Sequence, residues 1–267
     1  GTVVRFPFES PVWNRTTMAI DYYSIELEDT IGPLAATTIY RGCFNADGHS
    51  NPTYSLDDPN GYCRLIQRDP VTGGRLQVTA PMQNLGLTET SGIDLQFNWR
   101  SELADMGLSA PGALAANVSV NYLLDFSQQI TPDSPKLNYK GAFGQVAGGG
   151  VQTGQYEYRT YTTLSYLQSN WSVGLSWQHL PSIHNVAWVT DKDTEVQGAD
   201  SYDLFNLFGT WQINGTLSFR AGVDNLFDRQ PEIVGRQEGV TNARGQTVPG
   251  FYDLLGRRFY AGLKMNF

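Results

Sequence analysis

The chain has few charged residues and no long apolar run. Asp, Glu, Lys and Arg make up 16% of its 267 residues, whereas ~25% is usual for a soluble domain. The longest apolar stretches stop well short of the ~18 residues that a membrane-spanning helix needs. Acidic residues outnumber basic ones by 26 to 18. This balance argues against a nucleic-acid partner, which requires a basic face.

Helical periodicity is also nearly absent, and a period of two takes its place. Residues 92–100, for example, place Ile93, Leu95 and Phe97 on one face and Asp94 and Gln96 on the other. About nine strands are predicted on this pattern, near residues 1–7, 16–30, 76–90 continuing into 92–100, 116–128, 156–168, 170–178, 203–213, 216–224 and 256–267.

The connections between these strands alternate in length. Gln168-Ser169-Asn170 and Asn214-Gly215 are tight, and Asn-Gly is the strongest two-residue hairpin signal. Long connections alternate with the tight ones, over 31–75, 129–155, 181–199 and 229–255. The exception is 101–115, a longer link on the short-turn side. An up-and-down meander would gather all tight turns at one end, as in outer-membrane barrels. A soluble antiparallel sandwich shows the same alternation of faces and remains the alternative.

In a barrel the apolar faces meet lipid and the polar faces line the interior. The residues then expected in the lumen are polar or charged: Asp94, Asn98, Arg100, Asn121, Asp125, Arg220, Asp224, Arg258 and Lys264. An aromatic girdle at the membrane interface is predicted from large rings near strand ends. These are Trp99, Trp171, Trp177, Trp211 and Phe267.

Two segments near the end carry a family resemblance. "FRAGVDNLFDRQP" at 219–231, followed by "GRRFYAGLKMNF" at 256–267, resembles the C-terminal signature of TonB-dependent outer-membrane receptors. "MAIDYYSIELEDTIG" at 18–32 and "NLGLTETSGIDLQFNW" at 84–99 look like two further barrel strands of that family. The resemblance covers essentially the whole chain.

The resemblance implies an all-β, transmembrane antiparallel up-and-down β-barrel. Residues 1–267 would be the C-terminal portion, about nine strands of a plugged barrel with about 22. The plug and the N-terminal strands would be absent from this chain. The expected partners are the remainder of the receptor, TonB through the missing N-terminal part, and the lipids of a Gram-negative outer membrane. The terminal strand would carry the assembly signal, with Tyr260, Gly262, Met265 and Phe267.

Residue roles follow from the barrel hypothesis. Cys43 and Cys63 would lie in an oxidising external loop and form a disulfide, with two free thiols as the alternative. Candidate ligand or plug contacts are exposed loop aromatics and lumen charges: Tyr54, Tyr62, Trp188, Phe251, Tyr252, Arg100, Asp125, Arg220 and Arg258. No catalytic residue, cofactor or metal is predicted, and the acidic segments 55–61 and 191–195 are interpreted as solvated loops.

The predicted function is TonB-energised import of a scarce ligand: a siderophore, cobalamin, an oligosaccharide or a peptide. Acidic balance and loop aromatics slightly favour a neutral or cationic ligand such as a glycan. One alternative is an outer-membrane barrel that anchors a surface lipoprotein through residues 31–75. The other is a soluble β-sandwich that binds carbohydrate.

Overall fold

The wall of the molecule is formed by nine strands in chain order within one ten-stranded antiparallel sheet. The tenth strand, Leu137–Asn138, pairs with Ser127 and Gln128 off this path. The computed structural model describes residues 1–6, 9–46, 48–129, 134–144, 154–234, 247 and 250–265. The wall strands are β1 (Thr2–Arg5), β2 (Thr16–Leu27), β3 (Thr88–Glu102), β4 (Ala113–Gln128), β5 (Tyr158–Leu167), β6 (Trp171–Leu180), β7 (Tyr202–Gln212), β8 (Leu217–Asp224) and β9 (Arg258–Met265).

Each wall strand pairs with its neighbours in sequence, so the sheet is a meander. The connections at one end are short and those at the other end are long, which confirms the predicted asymmetry. The residues that the structure describes do not form a sandwich of two packed sheets. The predicted strand over 76–90 is wrong in part, because the wall strand begins only at Thr88. The residues before it form two short strands that pair within the long connection, one with Thr30–Pro33 and one with Ile66–Arg68.

The strand register confirms that apolar and polar side chains form two continuous faces. Ile20 pairs with Leu95, which pairs with Val120. One residue along each strand, Asp94 pairs with Asn121. Since side chains alternate across a strand, these rows lie on opposite sides of the sheet. We call them the apolar face and the polar face.

A β-bulge in β4 exchanges the two faces at the long-loop end of that strand. The register shifts so that Gly92 pairs with Leu123 while Ser91 pairs with Asp125. Asp125 therefore lies on the side of Ser91 and Ile93, and its predicted place in the lumen is wrong. Phe126 moves to the polar face for the same reason, since one extra residue inverts the alternation beyond it.

Aromatic rings mark the short-turn end of the apolar face. Trp171 pairs with Trp211 across two strands, and Tyr166 packs edge-on against Trp171 with centroids 5.2 Å apart. Trp99 contacts Trp13 at 5.7 Å. Trp177 lies nearer the opposite end and stacks on Phe205 at 6.1 Å. The predicted girdle position of Phe267 lies outside the described residues.

Two short helices occur in the long connections, α1 (Ala36–Cys43) and α2 (Ala187–Thr190). In the part of the chain that the structure describes, no helix is long and apolar enough to cross a membrane. The paired segments Thr30–Pro33 and Met82–Leu85 form a two-stranded ribbon at the base of the 28–87 connection. The hairpin of Ile66–Arg68 and Arg75–Val78 lies further out along it.

Glycines on the polar face make room for aromatic rings of the neighbouring strand. Gly174 pairs with Phe208 and Gly222 with Tyr260. A Cβ at Gly174 would lie 2.4 Å from the Phe208 ring, and one at Gly222 would lie 2.4 Å from the Tyr260 hydroxyl. The rings thus cover backbone that glycine leaves bare, which pins the register of the pair.

Gly222→Ala is expected to destabilise the barrel by ~1–3 kcal/mol, the usual effect of overpacking. The new Cβ would also lie 2.5 Å from the Leu207 carbonyl oxygen, and this backbone atom is held in the sheet. Urea unfolding of the purified protein, followed by tryptophan fluorescence, measures the change. Gly215→Ala is the control, because its Cβ meets nothing within 4 Å. Equal stability of both variants would contradict the packing argument.

Candidate functional site

Three of the long connections share one hydrophobic core beyond the end of the wall strands. Its buried members come from residues 129–157, 181–201 and 225–257 and from the adjoining strand ends. They are Phe143, Tyr156, Leu180, Ile183, Ala199, Tyr202, Val234 and Tyr252. A short parallel pairing of Ala142–Phe143 with His184–Asn185 joins two of the connections. We call this assembly the loop cluster.

Two tyrosines join opposite connections inside the loop cluster. The hydroxyl groups of Tyr156 and Tyr252 lie 3.1 Å apart and share a hydrogen bond. Burial raises the pKa of both phenols. Tyr252 is only 6% exposed, so the prediction of an exposed aromatic is wrong at this position. Phe251 is half-buried and packs edge-on against Tyr156 at 5.4 Å.

The side-chain amide of Asn225 holds the connection between β8 and β9 through hydrogen bonds of both its oxygen and its nitrogen. It is 1% exposed and has a left-handed backbone with φ of 51°. Its Oδ1 accepts a hydrogen bond from the Arg229 N–H at 2.7 Å. Its Nδ2 donates to the Arg229 carbonyl and to Asp253 Oδ2, both at 3.0 Å. A buried amide with these contacts has its polar atoms satisfied, as stability requires.

Asp228 closes the same connection three residues later. Its Oδ1 accepts a hydrogen bond from the Arg257 N–H at 2.9 Å. Gly256, the residue before Arg257, has φ of 72°. A Cβ at Gly256 would lie 2.9 Å from Asp228 Oδ1. A side chain at Gly256 would therefore meet both backbone strain and a steric clash. Asp228, Gly256 and Arg257, which belong to the two C-terminal segments of the resemblance, thus contact one another at this closure.

Asp253 and Arg258 complete this closure. Arg258 Nη1 donates to Asp253 Oδ1 at 2.7 Å, and its Nη2 lies 3.7 Å from Asp224 Oδ2. Burial disfavours the charged form of Asp253, but hydrogen bonds from Arg258, the Leu255 N–H and Asn225 outweigh it. They hold the pKa of this carboxyl below its usual value. The guanidinium of Arg258 is therefore engaged by its own chain.

The connection over 28–87 folds into a small unit with its own core, which we call the knob. Cys43 and Cys63 form a disulfide with Cα atoms 4.7 Å apart, which confirms the predicted bridge. Leu34, Ile39 and Ile66 pack around it, all 7% exposed or less. The cross-link joins α1 to the segment that leads into the 66–78 hairpin.

Two buried polar side chains organise the backbone of the knob. Asn51 Nδ2 donates to the carbonyls of Cys43 at 2.8 Å and Ser55 at 2.9 Å. Asp58 accepts from the N–H groups of Tyr62 at 2.7 Å and Cys63 at 3.0 Å. Asp58 therefore has a structural role, because its carboxylate accepts hydrogen bonds from two backbone N–H groups. Among the described residues, no group of three or more His, Cys, Asp or Glu side chains is arranged to hold a metal ion.

The surface of the knob differs from the prediction in its aromatic residues. Tyr54 is exposed, at 69%, whereas Tyr62 is half-buried against Gly42. Sequence reasoning missed a patch on α1, where Tyr40 and Phe44 stack at 6.3 Å. Arg68 lies over Phe44, and Arg75 donates to the Tyr40 hydroxyl. The spacing of four residues between the two rings was the available signal.

Trp188 is engaged by its own loop. His184 stacks on the indole with ring centroids 4.3 Å apart and planes within 10°. Lys192 Nζ lies 3.1 Å from the centroid of the same ring. A ligand that stacked on Trp188 would have to displace one of these groups.

Comparison with known proteins decides the family. Residues 7–226 match the family model described as TonB dependent receptor-like, beta-barrel. The chain belongs to the TonB-dependent receptor family. Its place is the outer membrane of a Gram-negative bacterium. In outer-membrane barrels generally, the apolar face meets lipid and the polar face lines the interior, with short turns periplasmic and long loops external.

Particular relatives cover different shares of the receptor. The ferric enterobactin receptor of Pseudomonas aeruginosa is 38% identical over 66 residues, 25% of this chain and 9% of the relative. A solved structure of a ferric enterobactin receptor from the same organism matches 99% of this chain and 30% of its own length, with a TM-score of 0.56 and 14% identity. The copper transporter OprC matches 95% and 29%, with a TM-score of 0.51 and 14% identity.

The chain thus spans about 30% of the length of the solved receptors that it matches. At such identities the structural likeness establishes the fold alone. It agrees with an antiparallel meander that forms part of a barrel wall.

The remaining predicted lumen residues lie on the polar face of the receptor wall. Arg220 is exposed and pairs with Gly262 across β8 and β9. Arg100 lies near the periplasmic end, with Nη2 3.3 Å from Glu102 Oε1. The structure therefore separates the candidate contacts into several groups. Tyr252, Phe251 and Arg258 lie in or against the loop cluster, Tyr54 and Tyr62 on the knob, and Arg100 and Arg220 in the interior.

Acidification is expected to loosen the connection between β8 and β9. The pKa of Asp253 is lower in the folded receptor than in the unfolded chain, so its ionised form stabilises the closure above ~3.9. That contribution is lost as the pH falls below this value. Limited proteolysis between pH 7 and pH 3 by an acid-stable protease should show cleavage in 225–257 rising at the acidic end. Asp253→Asn should be more susceptible at pH 7 and should lose the dependence, and a pH profile like wild type would contradict this.

Removal of the disulfide is expected to unfold the knob and leave the wall intact. Closure of a loop with a sequence separation of 20 stabilises a fold by ~3 kcal/mol in the chain-entropy model. The double variant Cys43→Ser/Cys63→Ser should therefore be cut by protease within 36–78, while the barrel keeps its heat-modifiable mobility on gels. Reduction of the wild-type receptor should reproduce the pattern. A protease-resistant double variant would show that the knob core suffices alone.

Proposed function

We propose that the complete receptor imports a scarce ligand across the outer membrane with energy delivered by TonB. Membership of the TonB-dependent receptor family carries this proposal. Receptors of this family are transporters rather than enzymes, and no covalent step is assigned to any residue here. The wall isolates a polar interior from lipid, and the external loops present folded surfaces to the medium.

Residues 1–267 would supply the C-terminal part of the barrel wall. The remainder of the receptor would supply the other wall strands, the plug and the segment that contacts TonB. The polar face carries charges of both signs, including Asp94, Arg159 and Arg220. Such side chains suit contact with a plug or a hydrated solute. Arg100 and Arg220 remain candidates for that contact, whereas Asp125 does not, since the bulge turns it away.

The ligand class to test first is a ferric siderophore. The curated relative with 38% identity over 66 residues is a ferric enterobactin receptor, and this match supports the choice. Cobalamin, an oligosaccharide and a peptide are the other classes. The exposed ring of Tyr54 and the patch of Tyr40, Phe44, Arg68 and Arg75 are the knob surfaces available for a first contact with a ligand.

The terminal strand would also direct assembly. Tyr260 covers Gly222, Gly262 adjoins Arg220, and Met265 pairs with Leu217 on the apolar face. We assign these residues, with Phe267, to the signal read by the barrel-assembly machinery; Phe267 lies outside the described residues. A receptor that lacks Phe267 should reach the surface in smaller amounts, because the terminal apolar anchor is lost.

Uptake of an iron-loaded siderophore by cells that carry only this receptor tests the import proposal. Accumulation of the siderophore should require both the receptor and TonB, since TonB delivers the energy for import against a concentration gradient. Equal accumulation in cells without TonB would contradict the proposal. A panel with cobalamin and oligosaccharides in the same cells separates a wrong ligand class from a wrong mechanism.

A deletion of residues 43–63 separates import from anchoring of a surface lipoprotein. If import is the function, the deletion should change ligand capture. Loss of partner binding with transport intact would favour the anchoring function. The double serine variant of the disulfide is a second test, because it is expected to unfold the same unit without removing any residue.

A further inference from the structure

The lipid-facing side of the wall contains a groove of about 330 Å³ near its periplasmic end. Its two walls are rows of side chains on the apolar face, and each row runs across neighbouring strands. The outer wall, further from the short turns, is Leu164, Leu175 and Leu207, which are paired across β5, β6 and β7. The inner wall, nearer the short turns, is Leu114, Tyr166 and Val173. Trp99 also lines the groove and lies beyond the outer wall, on β3.

The floor of the groove is backbone. Between the two walls runs the row of Ala115, Ser165 and Gly174, which also line the groove. Their side chains belong to the polar face, so they leave the outer side of the sheet bare. The groove stays open because two outward positions in the bounding rows are small. Ala116 stands beside Leu164 in one row, and Gly209 stands beside Val173 in the other.

The position of the groove determines what can occupy it. It lies on the apolar face, which the family assignment turns towards hydrocarbon, and its lining is almost wholly apolar. The inner wall lies within two residues of the strand ends that adjoin the short turns. The groove is therefore in the periplasmic half of the membrane. It crosses strands that tilt by ~35–45° in such barrels, so it is oblique to the membrane normal.

We propose that this groove binds one acyl chain of a phospholipid from the periplasmic leaflet. Leucine walls on both sides and a bare backbone floor would enclose a single flexible chain more fully than a smooth barrel surface does. The headgroup would lie at the girdle, where Tyr166 donates a hydrogen bond to the Pro111 carbonyl at 2.6 Å and accepts one from Gln168 at 3.0 Å. The proposal rests on the membrane position of the wall and is independent of which ligand the receptor imports.

Photolabelling of the full-length receptor tests the site. The receptor is reconstituted with phosphatidylethanolamine that carries a diazirine in one acyl chain, and labelled peptides are mapped by mass spectrometry. Label should concentrate on the strands of Leu164 and Leu175 and should be displaced by unlabelled phosphatidylethanolamine. Uniform labelling of the apolar face, with no displacement, would overturn the proposal.

Ala116→Phe fills the groove beside Leu164 and tests it a second way. Exclusion of about two methylene groups of the chain should lower labelling at Leu164 and Leu175 roughly tenfold. Thr162→Phe is the control. It adds a ring on the strand and face of Leu164, one outward position further from the groove, and should leave labelling unchanged. Heat-modifiable mobility on gels confirms that each variant is folded. Equal labelling in both variants, or cross-links to a second receptor instead of lipid, would overturn the assignment.

Discussion

Every backbone N–H and C=O group that enters a bilayer needs a partner within the protein, because hydrocarbon offers none. The nine-stranded ladder meets this requirement across the interior of the wall, and much of the remaining structure follows from it. Each strand must lie beside its neighbour in sequence, in a register that the turns set. The paired rows then carry side chains to lipid on one side and to the interior on the other. The apolar face, the polar face and the lipid-facing groove are all consequences of that register.

The register in turn depends on a few places where the regular ladder is modified. Gly174 and Gly222 admit the rings of Phe208 and Tyr260, and these pairs oppose slippage by one residue. The bulge beside Gly92 exchanges the faces of β4 near its long-loop end. Beyond it Asp125 contacts Ser127 and Asn138. The carboxylate thus has polar partners on the outward side of the sheet.

The external connections form two hydrophobic cores beyond the wall, and one of them also includes Leu180 and Tyr202 from the adjoining strand ends. The loop cluster brings together three connections around buried tyrosines, and the knob encloses a disulfide. Between β8 and β9 a compact closure returns the chain to the wall through Asn225, Asp228 and Asp253. This arrangement explains why several aromatic and charged residues of the loops contact one another. Exposed side chains remain both on the knob, as at Tyr54, and on the loop-cluster connections, as at Phe227 and Leu255.

Several features could be predicted from the sequence because each depends on local periodicity or on a short motif. The two faces of β3, the tight turn at Asn214-Gly215 and the pairing of two lone cysteines in one loop are examples. The burial of Tyr252 could not be predicted, since it depends on Tyr156, which is distant in the chain and adjacent only in space. Nor could the groove, because Ala116 and Gly209 become its openings only when the register aligns them with the leucine rows. Alternation along one strand determines which face a side chain occupies, and only the alignment of neighbouring strands decides what that side chain meets.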